Sequence, residues 1–212
     1  MKKKCVIIGS GTYGQVYARY LSDLYEEIVF TDNDQTLHNS EFYGVKVIGN
    51  DDYVLSQLDP EIYDVYVPIG NIRVRRAVIK EFRNNGFSLP NYIHPSVKLD
   101  KTVELGHEAI YILENTLIMP FAKIESEVMI SVCTMIAHHT TIHSGVFVSS
   151  GVTIGASMDI HENAYIGISA TIMTGVNEIG ENSIIGAGSV VIRNVDANVT
   201  VVGNPARVLK VH

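Results

Sequence analysis

Three histidines, His138, His139 and His143, fall within six residues of the stretch CTMIAHHTTIHSG, Cys133–Gly145. Imidazoles at such spacing can ligate a metal, move a proton near neutral pH or face solvent on a turn. Glu125, His143 and His161 recur at intervals of 18 residues, so a chain coiled with that period would stack them in one column. Cys133 is a nucleophile by type. The positions 18 residues away, Asn115 and Gly151, hold no base to ionise it, which favours a structural thiol.

A second group lies near the start. The apolar run CVII is followed by Gly9-Ser10-Gly11-Thr12-Tyr13-Gly14, then by an amphipathic segment, then by EEIVFTD, which ends at Asp32. A strand before the glycines, a helix after them and an acid closing the next strand make up a nucleotide-binding fingerprint in its proper context. Gly9, Gly11 and Gly14 allow backbone to approach phosphate, the helix that opens at Tyr13 aims N–H groups at the anion, and Asp32 with Asn33 can meet the nucleotide. Further on, IYDVYVPIGNIRVRRAVIKEF reads as a strand, a Gly70-Asn71 turn and a basic helix. Arg75 is the candidate there for a diphosphate, while Arg73 and Arg76 read as a solvated face. Roughly ninety residues supply one mononucleotide half of a Rossmann-like fold, which suits a nucleotide carrying a sugar better than a redox dinucleotide.

The elements that position the histidines are legible as a repeat. From Ile112 an aliphatic residue returns every six positions, through Ile118, Ile124, Ile130, Ile136, Ile142, Val148, Ile154, Ile160 and Ile166 to Ile172. The series resumes after one extra residue at Ile179, Ile185 and Val191, and Ile93, Leu99 and Leu105 precede it. Small or β-branched residues such as Thr116, Ala122, Val128, Thr134 and Thr140 stand two places ahead. A period of six fits neither a heptad nor a helical stripe. It fits short strands coiled into a parallel β-helix, each sending one β-branched side chain inward. Pairs such as Ile154-Gly155, Ile166-Gly167 and Ile185-Gly186 read as turns. Pro90 breaks the chain just before the hexads, so the expected domains are residues 1–90 and 91–212.

Composition narrows the function classes. The chain has 212 residues, 46% hydrophobic, enough for real cores, with a net charge of −7. An acidic balance with no basic run beyond Lys2–Lys4 argues against nucleic acid as the main partner. The apolar stretch after those lysines breaks at Gly9, too short for a signal peptide or membrane span. Two cysteines far apart, Cys5 and Cys133, make no disulfide framework and suit a reducing cytoplasm.

The hexads resemble those of the hexapeptide transferases, whose left-handed β-helix completes a coil in three hexads. With the α/β first half, the IGN…R segment, IHPS at Ile93–Ser96 and the closing VVGNPARVLK, Val201–Lys210, the chain resembles the NeuD/PglD-type sugar acyltransferases along essentially its whole length. That resemblance implies transfer of an acetyl group from acetyl-CoA to a nucleotide-linked amino sugar, with a UDP- or dTDP-linked 4-amino-4,6-dideoxyhexose for surface glycans as the expected acceptor. It implies no metal, and a homotrimer with sites between subunits. It matches His138 to the catalytic base and sets acetyl-CoA against Gly155, Ala156, Ile168, Ala187, Gly188, Asn204 and Pro205, with an amide of Gly155-Ala156 as oxyanion donor. Where the family carries Glu or Asp beside the base, this chain has His139, and Ala137 replaces the preceding acid. A neutral imidazole stabilises an imidazolium less than a carboxylate does, which favours an amine acceptor over a hydroxyl. Three other readings stand beside this one: sialic acid-type O-acetylation, a zinc enzyme resembling the γ-class carbonic anhydrases through the His138/His143 spacing, and a non-catalytic sugar-nucleotide binder.

Overall fold

The computed structural model describes residues 4–212, so the lysines at positions 2 and 3 lie outside it. The chain divides into two compact units, the first ending at Pro90 and the second running from Asn91 to His212. No helix among the described residues is long and apolar enough to cross a membrane.

The first unit alternates strands and helices: β1 (Lys4–Ile8), α1 (Thr12–Leu21), β2 (Glu27–Thr31), β3 (Glu41–Phe42), β4 (Val45–Val47), α2 (Asp51–Gln57), β5 (Tyr63–Tyr66) and α3 (Ile72–Asn84). Cys5 to Ile8 are all buried, the continuous apolar run expected of a parallel strand covered on both faces. The sheet order is β3-β4-β2-β1-β5, with β1 parallel to both β2 and β5, and only β3 antiparallel. The chain leaves β1 toward β2 and later crosses back to β5 on the other side. The loops after β1 and β5 therefore diverge at a switch point, where open α/β sheets bind ligands. Gly14 makes the β1–α1 junction possible, because a Cβ there would stand 2.0 Å from the Gly9 carbonyl oxygen.

The second unit is a three-faced parallel β-helix. One sheet stacks Tyr92–Ile93, Tyr111–Ile112, Met129–Ile130, Phe147–Val148, Tyr165–Ile166, Ile184–Ile185 and Val199–Gly203, closed by antiparallel Ala206–Val211. The second stacks Glu104–Leu105, Lys123–Ile124, Thr141–Ile142, Asp159–Ile160 and Glu178–Ile179. The third stacks Leu117–Ile118, Met135–Ile136, Thr153–Ile154, Thr171–Ile172 and Val190–Val191. From Ile112 to Ile172 the register steps by 18, as in Ile130↔Val148 and Ile136↔Ile154, and it steps by 19 at Ile160↔Ile179, so each inward aliphatic still sits on its counterpart one coil away. The hexad residues from Ile112 to Val191 form one buried core, with Ile93, Leu99 and Leu105 packed against its end.

Corner geometry corrects one detail of the sequence reading. The glycines after the inward aliphatics do not carry the turn. The bend falls three positions before each aliphatic from Ile112 to Ile172, where Ala109, Asn115, Phe121, Glu127, Cys133, His139, Gly145, Gly151, Ser157, Asn163 and Ser169 all have φ between 53° and 77°. That left-handed conformation disfavours most side chains and is tolerated best by Gly and Asn. Gly155 is needed for space instead, since a Cβ would stand 2.5 Å from the Thr174 nitrogen. The extra residue between Ile172 and Ile179 falls at the corner Thr174–Val176, where Gly175 has φ 101°.

Candidate functional site

His138 and His139 sit on the corner between the third and second sheets, just after Met135–Ile136. Both are exposed, whereas the residue before them, Ala137, is buried. Their Nδ1 atoms are 3.0 Å apart, and the rings stand nearly perpendicular at 86°. The His139 ring stacks on Phe121 one coil below, with centroids 4.8 Å apart. No carboxylate forms an ion pair with either imidazole among the described residues.

One coil above lie Gly155, Ala156 and Ser157, tied to this corner by the Ser157 N–H donating to the His138 carbonyl at 3.0 Å. The Gly155 N–H is committed to the sheet, donating to Ile172 O at 2.9 Å. The Ala156 N–H donates only to the Thr174 hydroxyl, at 3.2 Å. That long, side-chain contact is one a stronger acceptor can displace. The donor expected from Gly155-Ala156 is thereby narrowed to Ala156. The sequence reading missed Thr174 and Phe121; the broken hexad count marked Thr174, and Phe121 is His139 minus 18.

The remaining expected acetyl-CoA residues occupy a different edge. Ile168, Ala187 and Gly188 are exposed at the corner between the first and third sheets, linked by the Gly188 N–H donating to Ile168 O at 2.8 Å. Exposed Asn204 and Pro205 follow Gly203, whose N–H donates to Ser189 Oγ at 3.1 Å. One chain therefore presents the two halves of the set on opposite edges of the third sheet.

His143 lies at the far end of Thr141–Ile142, on the corner between the second and first sheets. Its Nδ1 is 3.0 Å from Glu125 and its Nε2 3.2 Å from Asp159, while its ring stacks parallel on His161 at 5.3 Å. Burial raises the Glu125 carboxyl, but hydrogen bonds from the Ser144 hydroxyl and amide and from His143 outweigh it and hold the group below its usual range. Both His143 nitrogens are engaged by carboxylates, and no three His, Cys, Asp or Glu side chains among the described residues are grouped to hold a metal. The His138/His143 spacing thus places two imidazoles on separate corners.

In the first unit the expected residues converge around the β1 and β5 loops. Asp32 accepts from the Ser10 amide at 3.0 Å and hydroxyl at 2.6 Å, and from the Asp34 amide at 3.0 Å. Burial opposes its ionisation, but the Ser10 hydroxyl, the Asp34 and Ser10 amides and His38 prevail and keep the carboxyl below its usual range. Gly11 caps α1 with no side-chain hydrogen bond, and a Cβ at Gly11 or Gly70 would meet open space. Nothing in the fold demands glycine at these two positions, so they leave room beside the helix N–H groups. Tyr13 packs edge-on against Tyr17, Asn33 donates to Asp51 at 3.2 Å, and Asn71 caps α3 by accepting from Val74 N. Arg75 departs from the sequence expectation. It is fully buried and its guanidinium donates to the Ile69 carbonyl at 3.0 Å, bracing the β5 loop from beneath.

Residues 4–82 match the family model described as the PglD N-terminal domain. The GDP-perosamine N-acetyltransferase of Escherichia coli O157:H7 is 29% identical over 224 residues, covering 96% of this chain and 95% of that protein. The acetyltransferase domain of PglB from Neisseria gonorrhoeae FA1090, solved in complex with acetyl coenzyme A, matches with a TM-score of 0.91 at 28% identity, over 99% of this chain and 100% of that one. PerB from Caulobacter crescentus, solved in complex with CoA and GDP-perosamine, matches with a TM-score of 0.88 at 27% identity, over 98% and 97%. The chain spans 30% of the length of two fungal relatives, putative acetyltransferases of Saccharomyces cerevisiae and Schizosaccharomyces pombe.

Proposed function

We propose, from a resemblance to the NeuD/PglD-type sugar acyltransferases that runs the length of the chain, that this protein transfers the acetyl group of acetyl-CoA to the amine of a nucleotide-linked amino sugar. The observation that carries the reading is the stack of His138 beneath Ala156. An exposed imidazole with no carboxylate partner lies one coil from an amide held only by a displaceable hydroxyl.

The acceptor amine attacks the thioester carbonyl carbon, forming the C–N bond. The oxyanion takes the Ala156 N–H in place of Thr174, His138 Nε2 removes the ammonium proton, and the C–S bond breaks to release CoA as its thiol once protonated. An amine suits this site because its free form attacks first and loses its proton afterwards. In the first unit, the glycine loop and the uncapped start of α1 receive the diphosphate, with Asp32 holding the loop in shape. This reading makes the unit a Rossmann-like nucleotide domain and the β-helix left-handed.

The acceptor proposed is a 4-amino-4,6-dideoxyhexose for a surface glycan made in the cytoplasm. Both perosamine relatives are named with a GDP-linked sugar, so GDP joins UDP and dTDP as the nucleotide to be tested. The split of the acetyl-CoA set over two edges supports a homotrimer, in which one copy's Ile168–Asn204 edge completes the cleft beside another's His138. Acetyl-CoA offered with GDP-, UDP- and dTDP-linked amino sugars and free sialic acid, with thiol release and product analysis as readouts, tests the reading. Amide product from one nucleotide sugar is expected; a hydroxylamine-labile ester would replace it with O-acetylation.

A further inference from the structure

We infer that His139 is a positioning residue that sets the tautomer of His138, doing with a neutral ring what a carboxylate does elsewhere; this rests on the proposed role of His138 as base. Two Nδ1 atoms 3.0 Å apart form a hydrogen bond only when one carries the proton and the other offers its lone pair. When both rings are neutral and His138 Nδ1 donates, His138 Nε2 is bare and able to accept a proton from the ammonium formed by attack. The reverse bond puts the His138 proton on Nε2 and disables it.

The His139 ring is held in place beside His138. Its ring lies on Phe121 at 4.8 Å with the planes 28° apart, and its backbone occupies the left-handed corner position at φ 57°. The corners directly below and above, Met119–Phe121 and Gly155–Ser157, carry no titratable group. On the adjoining sheet, Lys123 and Asp159 flank Thr141 but are engaged with Glu104 at 3.1 Å and His143 at 3.2 Å. A proton placed on His139 leaves that ring with N–H groups only, reverses the bond and removes the base together with its orientation. A proton taken by His138 in turnover keeps the Nδ1–H donating to a neutral acceptor.

The test compares three substitutions at His139 and reads kcat, KM, the acid limb of the rate profile and the ¹⁵N imidazole shifts of His138. Phe is accommodated at this corner conformation, since Phe121 holds φ 66° one coil below. His139→Phe, which keeps stacking and loses the acceptor, is expected to lower kcat about 10-fold or more with KM for acetyl-CoA unchanged, and to return His138 toward the Nε2–H tautomer. His139→Asn, which accepts through its amide oxygen and takes no proton, is expected to keep kcat within about threefold. His139→Asp is expected to move the acid limb up by about one pH unit or more, because a carboxylate favours the imidazolium. Wild-type kcat and tautomer in His139→Phe, or a loss in His139→Asn equal to that in His139→Phe, would overturn the inference. The tautomer shift needs no substrate: a chain that acetylates nothing yet loses the Nδ1–H form in His139→Phe sinks the proposed function and retains the pairing.

Discussion

Two corners of the same β-helix hold paired histidines, and the two pairs differ in the partners their rings find. At His143 the stacked coils supply Glu125 from below and Asp159 from above, and both ring nitrogens are used. At His138 the residues one coil away are Pro120 and Ala156, and the ring meets only a second imidazole. A β-helix makes neighbours of residues 18 apart, so the column, not the local sequence, decides whether a histidine is satisfied. A satisfied ring stabilises the stack; an unsatisfied one is available to a substrate.

The comparison breaks first at His138. His138→Ala is expected to cut turnover by about 100-fold or more, the loss of the proposed general base, with thermal stability retained. Equal turnover in that variant would remove the distinction between the corners. The other unit supplies a contrast between binding and chemistry. Asp32→Ala frees the Ser10 amide and hydroxyl and should raise KM for the nucleotide sugar about 10-fold while leaving that for acetyl-CoA alone. A change confined to acetyl-CoA would assign the fingerprint to the wrong ligand.

At the satisfied corner the expected effects are small and lie in stability. His143→Ala should leave kcat within about threefold, as expected of a residue that does not touch the reacting atoms. If it is instead the inactive variant, the two corners exchange roles. Ser144→Ala removes the largest hydrogen bond favouring ionised Glu125 and should cost about 1 kcal/mol near neutral pH, at the low end because the carboxylate is partly exposed. Since the folded carboxyl is held below its unfolded value, that stabilisation is present above the unfolded range and fades as pH falls through the folded one. Chemical denaturation at neutral pH and in acid should therefore show the wild-type advantage shrinking in acid.

Periodicity alone determined much of the second unit. A β-branched residue every six positions has one economical solution, a coil whose inward column is continuous, and Ile112 to Val191 form that core. The fingerprint around Gly9–Gly14 likewise specified strand, loop and helix, because a close β1–α1 approach demands glycine at Gly14. The extra residue after Ile172 was legible in the sequence, whereas the Thr174 hydroxyl over the Ala156 amide was not. Burial of Arg75 beneath Ile69 was hidden, since a helical arginine reads as exposed until the loop it braces is in place. Tertiary structure also decided that Ile168 and Asn204 stand across a sheet from His138, and that His139 meets Phe121 and no carboxylate. The physical reason is common to these cases. Repeat spacing sets which residues share a column, whereas the side-chain rotamer, its hydrogen-bond partner and its distance from solvent arise only when adjacent coils close upon one another.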